Sequence, residues 1–90
     1  MKSRVTSTRG AFKVLDALLT SEEKERSRLQ SADEFANEQH FGLGMWIRNT
    51  WIYGGDKSTY RALFGDEILP PDSASSIFLK KYHNHLKRTK

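Results

Sequence analysis

A line of polar residues interrupts an otherwise apolar segment near the middle of the chain. His40, Gly44 and Arg48 are four residues apart in turn, so in a helix they share one face. Gly44 has no side chain and leaves a gap through which a ligand can approach closely. The guanidinium of Arg48 can bind a carboxylate or phosphate with two hydrogen bonds, and His40 and Asn49 can orient such a ligand. One hypothesis is therefore a small anion-binding or enzymatic site at this notch.

The same residues also have a structural interpretation, which we favour. Gly44 can admit a crossing helix, and a buried Arg48 then needs a partner, because an unpaired buried guanidinium is costly. Asp66, Glu67 and Asp72 are the candidate partners. Under this interpretation His40 is a helix-face histidine that is hydrogen-bonded to the backbone.

Other catalytic or metal chemistry has little support in the sequence. The chain has no cysteine, which excludes a disulfide framework, a thiolate zinc site and a cysteine nucleophile. His83 and His85 are two residues apart, so on a helix they diverge by about 200° and cannot share a metal ion. Gly42 and Gly44 lack the preceding strand that a dinucleotide-binding loop requires. We predict no catalytic residue, no metal, no cofactor and no enzymatic activity.

The net charge of +4 is confined to the two ends of the chain. Residues 1–13 contain four basic residues and residues 80–90 contain five, without an acid in either range, whereas residues 14–79 contain eleven acids and six bases. Basic ends can bind nucleic acid with an affinity that falls steeply with salt. The candidate residues for that alternative are Lys80, Lys81, Lys87 and Arg88, with Tyr82, His83 and His85 for stacking on bases.

Hydrophobic spacing and capping signals place the elements of the N-terminal half. Apolar residues at helical spacing predict a helix over about 10–19. A capping box at Thr20–Glu23 opens a polar helix over about 21–30, and a second box at Ser31–Glu34 opens the next helix. We expect that helix to continue unbroken to Trp51, because the apolar positions hold helical register across Gly42 and Gly44.

The C-terminal half divides at glycines and prolines. The residues 54–56 (Gly-Gly-Asp) predict a turn, and residues 58–64 predict a short helix closed by Gly65. Residues 68–71 are expected to be extended because of the two prolines, with Asp72 or Ser73 capping a final helix. The apolar stripe of that helix comprises Phe78, Leu79, Tyr82 and Leu86.

These elements predict an all-α fold, a single compact bundle of four to five short helices with a buried central helix. The domain is expected to cover residues 9–87, between a flexible basic N-terminus at residues 1–8 and a basic end at residues 88–90. Ninety residues with 37% hydrophobic and 29% charged residues suit one globular domain. No stretch approaches the roughly 20 apolar residues of a membrane span, and no signal peptide is evident. We therefore expect a cytoplasmic protein without a membrane partner.

The central segment resembles a known family. The run His-Phe-Gly-Leu-Gly-Met-Trp-Ile-Arg-Asn, which begins at His40, followed by Gly-Gly and by Pro71-Asp72 before the last helix, is similar to a family of small bacterial domains of unknown function. The resemblance covers roughly residues 12–86 and implies a compact helical domain. Family members are expected to have His-Pro-Asp-Asp where this chain has Pro70-Pro71-Asp72-Ser73, a difference that removes one histidine and one acid.

The leading functional hypothesis is a non-enzymatic interaction module that binds and modulates a macromolecular partner, in an inhibitor, immunity-type or adaptor role. The partner is expected to be a protein, with nucleic acid as the alternative. Ten aromatic residues are more than one small core needs, and Trp, Tyr and Arg dominate the energetics of interfaces. The aromatic residues to examine for exposure are Trp46, Trp51, Tyr53 and Tyr60.

Overall fold

The computed structural model describes residue 5 and residues 7–89 and confirms the all-α fold. Within these residues there are six α-helices, one π-helical segment and no strand. The helices are α1 (Thr8–Leu18), α2 (Ser21–Arg28), α3 (Ala32–Glu38), α4 (Leu43–Ile47), α5 (Lys57–Phe64) and α6 (Pro71–Arg88), and the π-helical segment is Arg48–Tyr53. The count exceeds the predicted four to five, because one predicted helix is divided.

Both predicted capping boxes are confirmed. The Thr20 hydroxyl accepts a hydrogen bond from the Glu23 amide (3.1 Å), and the Glu23 carboxylate accepts one from the Thr20 amide (2.8 Å). Ser31 and Glu34 repeat this exchange at the start of α3, with the same two distances. Each box satisfies amides that lack a partner within the helix, so local sequence alone places the starts of α2 and α3.

The prediction of one unbroken helix to Trp51 is wrong. Helix α3 ends at Glu38, and the chain turns over residues 39–42 before α4 begins at Leu43. The Gln39 carbonyl accepts hydrogen bonds from the amides of Gly42 (3.1 Å) and Gly44 (2.7 Å), which closes this turn. Two glycines lower the helical propensity here by about 1 kcal/mol each relative to alanine. Apolar periodicity survives the turn because the flanking helices pack on the same core.

The chain leaves α4 through the π-helical segment, which no sequence pattern predicted. Gly54 and Gly55 follow it as the predicted turn. A Cβ at Gly54 would lie 2.5 Å from the Asn49 carbonyl oxygen, and one at Gly55 would lie 2.6 Å from the Trp51 carbonyl oxygen. Glycine is therefore required at both positions by the close approach of the backbone. Helix α5 then ends at Phe64 and is followed by Gly65, whose φ of 90° favours glycine.

Helix α6 begins at Pro71, so the expectation of an extended Pro71 and a cap at Asp72 or Ser73 is wrong. Pro70 occupies the N-cap position, and Pro71 is the first helical residue, where its missing amide hydrogen costs nothing. The predicted apolar stripe is confirmed, since all four of its residues are buried. Helix α6 packs against α2, α3, α4, α5 and the π-helical segment, and therefore takes the central place in the bundle.

The first helix begins slightly earlier than the predicted start near residue 10. Helix α1 begins at Thr8, and Ser7 is its N-cap, with its hydroxyl accepting a hydrogen bond from the Gly10 amide (3.0 Å). Val5 is buried against the core. The remainder of the predicted flexible basic segment 1–8, with Lys2 and Arg4, lies outside the described residues.

Candidate functional site

Arg48 is buried and fully engaged by the protein. Its Nη1 donates to the Ser75 hydroxyl (2.9 Å), and its Nη2 donates to the His40 carbonyl (3.0 Å). Its Nε lies 3.6 Å from the Asp72 carboxylate, one of the three partners suggested by the sequence. The arginine therefore ties the turn at His40 to the first turns of α6, and it satisfies a carbonyl that the broken helix would otherwise leave unpaired.

Gly44 makes room for these contacts. A Cβ at this position would lie 3.1 Å from the Gln39 carbonyl oxygen, 3.3 Å from Arg48 Nη1 and 3.5 Å from a Leu79 methyl group. The gap beside Gly44 is thus filled by the guanidinium and by the crossing helix α6. These contacts favour the structural interpretation of the line from His40 to Arg48.

The other polar candidates of the notch are more accessible. His40 is half-buried, and its ring meets the exposed ring of Phe41 edge to face at 4.7 Å. Asn49 is exposed. The described residues contain no group of three or more histidine or acidic side chains that could hold a metal ion.

The four aromatic candidates are placed differently. Trp51 is buried, and its ring meets that of the half-buried Trp46 edge to face at 5.0 Å. Tyr53 is exposed. Tyr60 is half-buried, and its hydroxyl accepts a hydrogen bond from the Leu69 amide (3.1 Å) and donates to the Glu67 carbonyl (3.3 Å). Tyr60 thereby fixes the loop that joins α5 to α6.

That loop forms one wall of an apolar groove, which sequence reasoning missed. The groove has a volume of about 370 Å³ and lies between the π-helical segment, α5 and the loop. Ile68 stands at its edge with 94% of its surface exposed. The lining residues are Ile52, Gly55, Asp56, Lys57, Tyr60, Ile68, Leu69 and Pro71. The only sequence signal was an Ile-Leu pair in a segment too short to be a core helix.

The surroundings of the groove are acidic, in contrast to the basic chain as a whole. Residues 52–72 contain four carboxylates and two exposed cations. Two of these carboxylates are already paired, since Asp66 lies 3.1 Å from Arg61 Nε and Asp72 lies 3.6 Å from Arg48 Nε. The groove therefore combines an apolar floor with one carboxylate beside Ile68, that of Glu67, which has no ion pair among the described residues.

The basic candidates of α6 are all exposed and are placed on two sides of the helix. Lys80 pairs with Asp33 of α3 (3.0 Å). Lys87 lines a cleft between α2 and α6. Lys81 and Arg88 are exposed without a partner among the described ion pairs.

Two of the three predicted stacking residues of α6 serve the core instead. His83 is buried, and its Nε2 lies 3.0 Å from the Ser27 carbonyl oxygen and 2.8 Å from that of Gln30. This geometry requires a hydrogen on Nε2, which is donated to the end of α2. The buried Tyr82 donates to the Asp16 carboxylate (2.6 Å). Burial, followed by this hydrogen bond, raises the pKa of Tyr82 well above its usual value. Of the three, only His85 reaches the surface.

Comparison with known proteins gives a family but no activity. The model of a family described as a domain of unknown function (DUF6794) matches residues 7–86, and the chain therefore belongs to this family. No curated protein and no solved structure shows significant similarity to the chain. In the part of the chain that the structure describes, every helix is too short or too polar to cross a membrane.

Proposed function

We propose that this member of the DUF6794 family is a small protein-binding module that uses the groove beside Ile68 to bind a segment of a partner protein. The observation that carries the proposal is the exposure of Ile68 at the edge of an apolar groove. Leaving an isoleucine side chain in water forgoes about 1.5 to 3 kcal/mol of burial free energy. An apolar side chain from a partner can recover part of it.

The charge of the rim specifies the partner segment. Glu67, the neighbour of Ile68, has no ion pair among the described residues, so a partner segment with a positive charge beside its apolar side chain is favoured on approach. The proposed ligand is thus a peptide with one or two apolar side chains flanked by lysine or arginine. Such a role is non-enzymatic, in line with an inhibitor or adaptor. A cytoplasmic location and a bacterial origin remain part of the proposal.

The anion-binding alternative at His40 and Arg48 has weaker support. The guanidinium already contacts a carbonyl, a hydroxyl and a carboxylate. An anionic ligand would have to displace these groups from a buried position.

The proposal is tested by selecting displayed random peptides on the immobilised chain and measuring their dissociation constants by fluorescence anisotropy. We expect a consensus with an apolar anchor and basic flanks. Ile68→Ser should weaken binding about tenfold, because one buried aliphatic side chain contributes roughly 1.5 kcal/mol or more.

The matched control is Leu29→Ser, since Leu29 is 88% exposed but lies at the α2–α6 cleft. Its binding should equal that of the unchanged chain. Peptides that bind both variants equally, or a consensus with acidic flanks, would overturn the proposal, as would a failure to select any peptide.

A further inference from the structure

A second surface, which carries positive charge, lies where α1 contacts α6. Phe12 of α1 packs on His85 of α6 with ring centroids 4.7 Å apart and an angle of 32° between the planes. Both residues are half-buried, so the edge of this ring pair reaches the surface. We call this surface the α1–α6 seam, with Phe12 and His85 as its floor.

Helical geometry places cations on both sides of the seam. At about 100° per residue, Lys81 and Arg88 lie about 40° and 60° from His85, toward solvent. On α1, Arg9 and Lys13 lie about 60° and 100° from Phe12, on the side away from the buried Leu15. All four cations are exposed.

None of these four cations forms an ion pair with another of the residues that the structure describes. The ion pairs of the described residues involve other bases, and the one acid at the seam, Asp16, is already engaged. Asp16 accepts the Tyr82 hydroxyl through one oxygen, and its other oxygen lies 3.8 Å from His85 Nε2. The seam therefore has uncompensated positive charge beside a pair of rings that are tilted against each other.

We infer that the α1–α6 seam binds single-stranded nucleic acid, with Arg9, Lys13, Lys81 and Arg88 contacting phosphates and the Phe12–His85 ring pair contacting a base. Cations that follow a groove, together with aromatic rings that accept a base, are the two elements of sequence-tolerant single-strand binding. This inference is independent of the peptide groove, which is lined by residues of the π-helical segment, α5 and the loop that follows α5.

Binding at the seam can be distinguished from non-specific electrostatic binding of nucleic acid to the basic helix α6. Lys80 and Lys87 belong to the same helix, but they lie toward α3 and α2, where Lys80 is paired with Asp33 and Lys87 shares a cleft with Glu25. Lys80 and Lys87 together carry the same charge as Lys81 and Arg88, but they do not lie beside the ring pair. Binding at the seam must therefore depend on Lys81 and Arg88 and be nearly indifferent to Lys80 and Lys87.

The test is fluorescence anisotropy of the full chain with a labelled oligouridylate of about 12 nucleotides, a length within the usual site sizes. Four phosphate contacts on a single strand predict that affinity falls about fifty-fold between about 50 and about 200 mM salt. The double variant Lys81→Gln/Arg88→Gln should reduce this fall to about sevenfold. Lys80→Gln/Lys87→Gln should keep the full salt dependence.

Two further measurements keep the outcome decisive. Circular dichroism shows whether each variant keeps its helix content, and nuclear magnetic resonance titration of the unchanged chain locates the shifted amides. We expect shifts at residues 9–13 and 81–88. Equal losses from the two double variants, shifts confined to other residues, or no binding at the lower salt would overturn the inference. So would binding to phosphatidylserine-containing vesicles without binding to the oligonucleotide.

Discussion

At the scale of single residues, the most consequential side chain is Arg48. It is only 7% exposed, and its three nitrogens contact groups from the turn at His40 and from α6. A charge in this position is tolerated because each of its nitrogens has an oxygen partner. Arg48 therefore acts as the link between two elements that are distant in sequence.

We predict that Arg48→Met lowers the free energy of unfolding by about 2 to 4 kcal/mol, because it leaves the part-buried His40 carbonyl and the buried Ser75 hydroxyl without their donor. Urea unfolding followed by tryptophan fluorescence measures this change. Arg61→Met is the matched control, since the Arg61–Asp66 pair is exposed and should contribute less than about 1 kcal/mol. Equal effects of the two substitutions would contradict a structural role for Arg48.

A second residue-scale prediction concerns Tyr82 and alkaline pH. Its pKa in the folded protein is raised by burial and by the hydrogen bond to Asp16, whereas in the unfolded chain it stays near 10. The folded state thus holds the proton more strongly, so stability is present below about pH 10 and is lost as the pH rises above it. We expect unfolding free energy to fall less steeply above about pH 10 in Tyr82→Phe than in the unchanged chain. Parallel profiles would show that Tyr82 does not contribute.

At the scale of elements, the π-helical segment and its closing glycines shape the groove. Ile52 belongs to the segment and Gly55 follows it, and both line the groove. The Gly54 and Gly55 positions each face a carbonyl oxygen of the preceding turn. The geometry of this wall therefore depends on the absence of two side chains.

We expect Gly54→Ala to destabilise the protein by about 1 to 3 kcal/mol, because its Cβ must displace the Asn49 carbonyl. Thermal and urea unfolding measure the loss. The substitution Ala17→Gly, at an exposed position of α1, serves as the reference for the size of the effect. It should cost about 1 kcal/mol through helix propensity alone. If Gly54→Ala were neutral, the close approach of the backbone would not constrain this position.

At the scale of the whole molecule, α6 connects the bundle through both of its ends. Arg48 contacts its first turns, and Arg28 of α2 donates to the carbonyls of Leu86 (2.8 Å) and Thr89 (3.0 Å) at its last turn. In the other direction, His83 of α6 donates a hydrogen bond to the carbonyls of Ser27 and Gln30 at the end of α2. The two proposed surfaces share no residue, so each can be changed while the core is kept.

The central place of α6 predicts that removing residues 81–90 abolishes cooperative unfolding. The deletion takes away Tyr82, His83 and Leu86, which are all buried. Differential scanning calorimetry should show no transition for the shortened chain. Removing only residues 89 and 90 is the control, which should retain the transition because both the buried stripe and the Leu86 contact of Arg28 remain. A clear transition in the 81–90 deletion would refute the assignment.

The sequence by itself determined the features that depend on near neighbours. The capping boxes at Thr20 and Ser31, the turn at Gly54 and the apolar stripe of α6 follow from side chains within a few residues of one another, and all are confirmed. The predicted resemblance to a family of unknown function agrees with the family model that matches residues 7–86, which also describes a domain of unknown function. The positive charge of the two chain ends was also evident from the sequence, because it depends only on which residues are present.

Only the tertiary structure decided the break after Glu38, the partners of Arg48 and the existence of the groove. Helical periodicity is the same for one helix and for two that pack on the same core, so it could not show the turn. The sequence allowed Arg48 to be either a donor to a ligand or a structural link. The structural interpretation is favoured by its contacts with Ser75 and Asp72, which are more than 20 residues away in the sequence. The groove is assembled from three separate segments, and no local pattern encodes their meeting. The contacts of Arg48 thus support the structural interpretation of the line from His40 to Arg48.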